Sequence, residues 1–154
     1  MNGVHVKNAG EALYIASEME KRAVKLYERA AMLWPENAMA AAITGMLSDE
    51  RGHLTRFQNM LSGREPVGAD ALMLAAHAAG ILFEGGLNAA ARAGAFDSPQ
   101  ALMRYAAEQE AIAVGCYTQF AADCADFPEA QAAFAAIADE EKAHLNALQR
   151  SLTA

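Results

Sequence analysis

Apolar residues recur at alternating steps of three and four along four segments of this chain. This spacing places them on one face of an α-helix, as in the core of a helical bundle. The four faces are Leu13, Ala16, Glu20, Ala23, Tyr27 and Ala30; Ile43, Met46, Glu50, His53, Phe57 and Met60; Met103, Ala106, Glu110, Ala113, Tyr117 and Phe120; and Phe134, Ile137, Glu141, His144 and Leu148. The pattern therefore predicts four long helices, each with a carboxylate in the middle of its core face.

Helix-breaking and helix-capping residues indicate where these helices begin and end. Pro35 separates the first helix from the second, which is predicted to begin at about Glu36. Ser98 followed by Pro99 is typical of an N-cap with proline in the first turn, so a third helix begins there. A fourth helix is predicted to begin near Pro128 and to run to near the C-terminus.

These breaks predict one all-α domain. The predicted parts are a single domain over 1–154, hairpin one over about 9–61, a crossover over about 63–98 and hairpin two over about 99–152. Short connections within the hairpins and one long crossover between them are the topology of a ferritin-like four-helix bundle. The crossover is predicted to contain a short helix at about 69–83, with looser chain at Gly85, Gly86 and Gly94.

The two hairpins repeat one arrangement of polar residues. In each half, a glutamate and a tyrosine on one helix precede a Glu-x-x-His motif on the next. The first half contributes Glu20, Tyr27, Glu50 and His53, and the second contributes Glu110, Tyr117, Glu141 and His144. A single Glu-x-x-His is a weak signal, but two copies with matching upstream partners on core faces are specific.

Four carboxylates in one core need positive charge, because unpaired buried carboxylates are costly and would repel one another. No lysine or arginine stands on the four core faces. Two divalent cations would offset the charge, and a glutamate and a histidine three residues apart can reach the same ion. Mixed carboxylate and imidazole ligands favour iron or manganese, with zinc as a further alternative.

Other polar residues near these motifs have two readings. Tyr27 and Tyr117 are either core aromatics or hydrogen-bond donors to a ligand carboxylate of the opposite half. Asp49 and Glu140 either face solvent or orient a histidine. His77, alone on an apolar stretch, is predicted to be a packed histidine rather than a ligand.

Charge and composition limit the classes of partner that the chain is expected to bind. A net charge of −7 and a pI near 5.0 argue against nucleic acid and anionic membranes. The apolar stretch at 69–83 is too short for a membrane span, and no signal peptide is recognised, so a cytoplasmic location is expected. Cys116 and Cys124 are predicted to be reduced thiols that pack in a helix.

At these residues the chain resembles the rubrerythrin branch of the ferritin-like superfamily over nearly its whole length. The resemblance implies six metal ligands, with Glu50 and Glu141 bridging two metal ions, most often iron. The implied ligands are Glu20, Glu50, His53, Glu110, Glu141 and His144. It also implies reduction of peroxide or dioxygen coupled to Fe(II) oxidation, and pairing into a homodimer.

Two departures from the rubrerythrin pattern affect this expectation. Ala113 stands where rubrerythrins typically carry a further glutamate, so peroxidase chemistry is less secure. The chain also has no rubredoxin domain with two Cys-x-x-Cys pairs, which implies an external electron donor such as a rubredoxin-like protein. An iron-handling ferroxidase, a di-iron hydroxylase and a non-catalytic metal-stabilised structural or stress protein remain as alternatives.

Overall fold

Helices and short connections make up the described part of the chain, residues 8–36 and 39–153 of a computed structural model. The helices are α1 (Ala9–Leu33), α2 (Ala40–Leu61), α3 (Gly68–Ile81), α4 (Gly86–Arg92), α5 (Pro99–Asp123) and α6 (Pro128–Thr153). No strand occurs within these described ranges. The prediction of an all-α fold is therefore confirmed.

Local hydrogen bonds explain where two of the long helices, α1 and α5, begin. The Asn8 side chain accepts a hydrogen bond from the Glu11 N–H at 2.9 Å, and this caps α1. The Ser98 hydroxyl accepts one from the Ala101 N–H at 3.0 Å, with Pro99 in the first turn of α5. Both side chains satisfy a backbone N–H that has no partner within its helix.

Three sequence expectations need correction. The second helix begins at Ala40 rather than at Glu36, which lies in a turn. The stretch after Gly85 is not loose chain but the short helix α4, because Gly85, at a φ of +80°, turns the chain directly into a run of helix-forming residues. His77 is exposed on α3 rather than packed, since the helix buries only Leu74 and Ala78. His5 lies outside the described residues.

The four long helices share one core. Helix α1 packs along α2, and α5 packs along α6. The ring of Phe57 on α2 lies 5.8 Å from the ring of Tyr117 on α5 and 5.5 Å from that of Phe134 on α6, between centroids. The core faces predicted from the periodicity are buried, except that Met60 and His144 are partly exposed. The hydrophobic pattern thus identified the buried face of every long helix.

The crossover is attached to the bundle by polar contacts to its backbone. The Arg22 guanidinium on α1 donates to the carbonyl oxygens of Leu82 at 2.8 Å and Phe83 at 2.6 Å. The N–H of Phe83 donates to Gln109 Oε1 on α5 at 2.7 Å. Phe83 has a φ of +50°, which is unusual for a residue other than glycine. These contacts stabilise the break between α3 and α4 over the bundle.

One stretch of the described chain, Gly68–Arg92, is long and apolar enough to cross a membrane by length and composition alone. Only 22% of the most apolar 18 residues of this stretch is buried within the protein. Its helix is interrupted between Ile81 and Gly86, where Arg22 binds the backbone. Core helices of soluble proteins can have the same length and apolar composition. The absence of a membrane partner therefore stays a prediction.

Replacing Arg22 with methionine tests the attachment of the crossover. Methionine keeps an apolar stem but leaves the carbonyls of Leu82 and Phe83 without this donor, so we expect a loss of about 1–3 kcal/mol in the free energy of unfolding. Urea titration measures the loss, and amide exchange at 82–86 should accelerate. Arg29→Met, at an exposed position of the same helix, is the control. Equal stability of the two variants would contradict this role for Arg22.

Candidate metal centre

Six polar side chains from all four long helices converge inside the core. The residues are Glu20 from α1, Glu50 and His53 from α2, Glu110 from α5, and Glu141 and His144 from α6. The four glutamates are between 1% and 3% exposed. All six residues proposed from the sequence as metal ligands therefore meet in one cluster.

The cluster divides into two overlapping groups, each of which could hold a metal ion. One is Glu20, Glu50, His53 and Glu141, and the other is Glu50, Glu110, Glu141 and His144. In each group, one ligand atom from every member lies within 4.8 Å of the others. Glu50 and Glu141 belong to both groups, so their carboxylates lie between the two positions.

Both histidines direct the same ring nitrogen into the cluster. His53 Nδ1 lies 3.0 Å from Glu141 Oε1 and 3.5 Å from both Glu20 Oε1 and Glu50 Oε1. His144 Nδ1 lies 3.5 Å from Glu50 Oε1 and 3.7 Å from Glu141 Oε1. The two rings are stacked, with centroids 6.3 Å apart. The nitrogens therefore approach the carboxylate oxygens as closely as two ligands of one cation would.

Each of the six residues has one buried polar atom without a hydrogen-bond partner. The atoms are Glu20 Oε2, Glu50 Oε1, His53 Nδ1, Glu110 Oε2, Glu141 Oε1 and His144 Nδ1. Some of these atoms are close together, but their geometry is not that of a hydrogen bond. A buried polar atom without a partner costs about 1–3 kcal/mol, more when charged. Cations coordinated by these atoms would remove that cost for all six residues, so the residues present fit a metal site.

In the metal-free chain, protons partly replace the missing positive charge. Burial, followed by the charges of Glu20, Glu141 and Glu110, raises the pKa of Glu50 well above its usual value. Burial also raises the pKa of Glu110, to about 8. Burial would raise the pKa of Glu141 too, but the neighbouring Glu110 and His53 side chains outweigh burial and lower that pKa. Neutral and charged carboxyl groups thus share protons in the core.

The histidines are cationic in the metal-free chain. Burial lowers the pKa of His53, but the nearby carboxylates of Glu141 and Glu20 outweigh burial and raise the pKa to about 10. Burial likewise opposes the charged form of His144, whereas Glu110 and the charge of Glu141 raise its pKa to about 9. A metal must displace these protons, because a coordinating imidazole is neutral.

The outer nitrogen of each histidine contacts a carboxylate from the opposite hairpin. His144 Nε2 lies 2.8 Å from Asp49 Oδ2 on α2, and His53 Nε2 lies 3.2 Å from Glu140 Oε2 on α6. A carboxylate at this position fixes the ring orientation and leaves the other nitrogen free for a metal. The sequence left the roles of Asp49 and Glu140 open. Their shared place beside the motif glutamates was the only signal that linked them to the histidines.

The two tyrosines donate hydrogen bonds across the cluster. Tyr27 on α1 donates to Glu110 Oε1 at 2.9 Å, and Tyr117 on α5 donates to Glu20 Oε1 at 2.7 Å. Burial, followed by the nearby glutamate charge, raises the pKa of both phenols well above its usual value, so both remain donors. Of the two roles considered for Tyr27 and Tyr117, hydrogen-bond donation to a glutamate of the opposite half agrees with this geometry.

Three other residues singled out from the sequence, Ala113, Cys116 and Cys124, are buried. Ala113, where a rubrerythrin-type glutamate is missing, is 2% exposed in the core. Cys116 and Cys124 are buried free thiols, as expected. Burial, with the charge of Asp123, raises the pKa of Cys116 to about 12, so this thiol is not a thiolate ligand near neutral pH.

No protein-family model, curated protein or solved structure matches this chain. The resemblance to rubrerythrins therefore rests on the six cluster residues, their two tyrosine partners and the spacing between them.

The cluster predicts that metal-free protein becomes less stable as the pH rises. Glu110 has a pKa of about 8 and His53 of about 10 in the folded chain, both above their usual values. Such a group stabilises the fold below its usual pKa and loses that contribution as the pH rises through the folded value. Between pH 6 and pH 9 we expect the free energy of unfolding to fall by about 2 kcal/mol or more, measured by urea titration.

Two controls accompany the pH titration. Glu110→Gln removes one of the titrating groups and should flatten the decrease. Saturating divalent metal should abolish it, because the metal replaces the protons. Metal-free protein whose stability stays constant or rises between pH 6 and pH 9 would contradict the protonated cluster.

Tyr117→Phe tests the donor to Glu20. The variant leaves a buried carboxylate without its neutral donor, so we expect a loss of about 1–3 kcal/mol in stability without metal and about tenfold weaker metal binding. Calorimetry with and without metal measures both. Tyr105→Phe, where the ring packs against Phe83, is the control. Unchanged metal affinity in Tyr117→Phe would exclude a role for this tyrosine in the site.

Proposed function

We propose that this chain is a rubrerythrin-like di-iron carboxylate protein that reduces dioxygen or peroxide with electrons from an external donor. The observation that carries the proposal is the set of six buried polar atoms, one on each cluster residue, that converge without hydrogen-bond partners. The proposal includes the finer fold assignment, a ferritin-like bundle in which about 63–98 is the crossover.

The overlap between the two ligand groups supports two ions rather than one. Glu50 and Glu141 can reach both positions, whereas Glu20 with His53 serves one and Glu110 with His144 serves the other. Four carboxylates offset the charge of two divalent ions, and each position receives one imidazole. This mixture of hard oxygen and nitrogen ligands favours iron or manganese, with zinc as the redox-inactive alternative.

Bound iron would supply the redox capacity and the coordination position for the oxidant. The protein contributes an apolar core, in which the rings of Phe57, Tyr117 and Phe134 pack together. Tyr27 and Tyr117 hold protons beside the ligand carboxylates, and Asp49 and Glu140 hold the imidazoles in place. These groups orient the ligands and limit access of water.

The electron source is proposed to be separate from the chain. Cys116 and Cys124 are buried single thiols and do not form a Cys-x-x-Cys pair. A rubredoxin-like donor would fit this requirement. A cytoplasmic location and a homodimer stay predictions, and sedimentation at micromolar concentration tests the dimer.

Anaerobic titration of metal-free protein with Fe(II) tests the centre directly. We expect two irons per chain, and a ferric absorbance on addition of peroxide or dioxygen. Glu50→Gln removes a carboxylate shared by both positions and should weaken both, whereas Glu20→Gln should weaken mainly one. Glu108→Gln is the matched control, because Glu108 is exposed on α5, the helix that carries Glu110. This variant should bind metal like the parent.

The outcomes separate the competing functions. Repeated turnover with a reductant supports the oxidoreductase, while a single oxidation with release of ferric iron supports an iron-handling ferroxidase. Oxygen inserted into an added organic molecule supports a hydroxylase. Tight binding without oxidation supports a metal-stabilised structural protein. Failure of the parent to bind any divalent metal would reject the whole proposal.

A further inference from the structure

The side of α3 that faces away from the bundle is apolar and exposed. Helix α3 packs against α1 and buries only Leu74 and Ala78. Leu72 is 75% exposed and Met73 is 54% exposed, although both are large apolar side chains. Small exposed residues continue this surface along the helix. We call it the α3 outer face, and it consists of Ala69, Leu72, Met73, Ala76 and Gly80.

The α3 outer face has the spacing of a seam between two packed helices. Steps of four, three and four residues separate its central positions, which are Ala69, Met73, Ala76 and Gly80. Three of the four are small, and a Cβ atom added to Gly80 would meet nothing within 4 Å. A second helix can therefore approach closely along this line, where the long side chain of Met73 would fill the remaining space.

Two polar residues along one edge of this face determine which helix direction is favourable. Asp70 and His77 are exposed and seven residues apart, so they occupy the same position in successive heptads. Two parallel copies would place Asp70 beside Asp70. Two antiparallel copies would place Asp70 beside His77 of the second copy, and the two-fold symmetry would repeat this contact. An imidazole N–H can donate to a carboxylate in either protonation state of the ring.

Packing and polar contacts agree on one antiparallel register. Full overlap of two copies of α3 (Gly68–Ile81) sets Met73 opposite Ala76 of the second copy, so the large side chain meets a small one. The same overlap leaves Asp70 and His77 of the second copy only about 3 Å apart along the helix axis, at a rise of 1.5 Å per residue. The α3 outer face is therefore complementary to itself.

A lipid bilayer fits this face less well. Helix α3 is about 21 Å long, which is shorter than the hydrocarbon core of a bilayer, about 30 Å thick. A helix that lies on a membrane surface usually carries lysine and arginine beside its apolar face. Helix α3 has neither, and Asp70 adds to a net charge of −7. These features favour a second protein surface over lipid.

We propose that the α3 outer face forms a homodimer interface in which the α3 helices of two copies pack antiparallel, with Asp70 of each copy beside His77 of the other. This inference gives a surface and a register to the homodimer named in the proposed function, but it rests on α3 and needs no metal. Metal-free protein tests it, so failure of the interface and failure of the iron titration are distinguishable. One helix from each copy makes a small interface, typical of weak and reversible association.

Sedimentation equilibrium of the full metal-free chain measures the dimer. We expect a monomer–dimer equilibrium with a Kd on the order of 10 µM. Met73→Lys places a charge in the seam and should weaken dimerisation at least about tenfold. Lysine and methionine have similar helix propensities, so the variant should fold. Met32→Lys makes the same change at a 74% exposed position in the last turn of α1 and should dimerise like the parent.

Exchange of the two polar residues tests the register. Asp70→Lys and His77→Glu each remove the favourable contact, and each should weaken the dimer about fivefold at low salt, because symmetry doubles the effect of one exposed pair. The double variant Asp70→Lys/His77→Glu restores opposite charges in the antiparallel register and should return the Kd to near that of the parent. A parallel pair would not be restored, because each position would then meet its own copy.

The results separate the proposed dimer from other uses of this face. Weakening by Met73→Lys together with restoration in the double variant supports the interface. A monomer even at several hundred micromolar, or a dimer that Met73→Lys leaves intact, overturns the proposal. A double variant that stays weak overturns the antiparallel register. Flotation of the parent, but not of Met73→Lys, with neutral phosphatidylcholine vesicles and without dimerisation would instead assign the face to lipid.

Discussion

The rest of the structure depends on four carboxylates enclosed in one apolar core. Glu20, Glu50, Glu110 and Glu141 are almost completely buried, and charges of one sign at this distance repel one another strongly where water is excluded. Only positive charge or protons make this arrangement stable. In the metal-free chain protons serve, as the raised pKa values of Glu50 and Glu110 indicate. Metal ions would serve better, because they also satisfy the atoms that protons leave without partners.

The site and the packing of the hairpins stabilise each other. Tyr27 bonds Glu110, and Tyr117 bonds Glu20, so each donor serves a carboxylate of the opposite hairpin. The outer carboxylates follow the same rule, since Asp49 contacts His144 and Glu140 contacts His53. Neither hairpin can complete its half of the cluster alone. Docking of the hairpins therefore assembles the site, and a metal bound there would favour the docked state by mass action.

The internal repeat does not make the two halves equivalent. His53 is more deeply buried than His144. In the repeat, the shorter Asp49 corresponds to the longer Glu140. Arg22 attaches the crossover to one part of the bundle, whereas a groove lined by Asp49 and His144 opens between α2, α5 and α6. The two ligand groups, although built from the same motifs, therefore differ in how far their histidines are exposed.

The sequence by itself determined the helical class, the buried faces and the six residues of the cluster. These follow from local geometry, because residues three and four positions apart must share a helix face. Tertiary structure decided which side chains meet: Asp49 and Glu140 each contact the histidine of the opposite half, and each tyrosine donates to a glutamate of the opposite half. It also decided that His77 is exposed and that a groove opens beside His144. Helix α4 and the start of α2 also escaped prediction. The physical reason is that contacts between helices depend on their rotation and register, which periodicity within one helix leaves free.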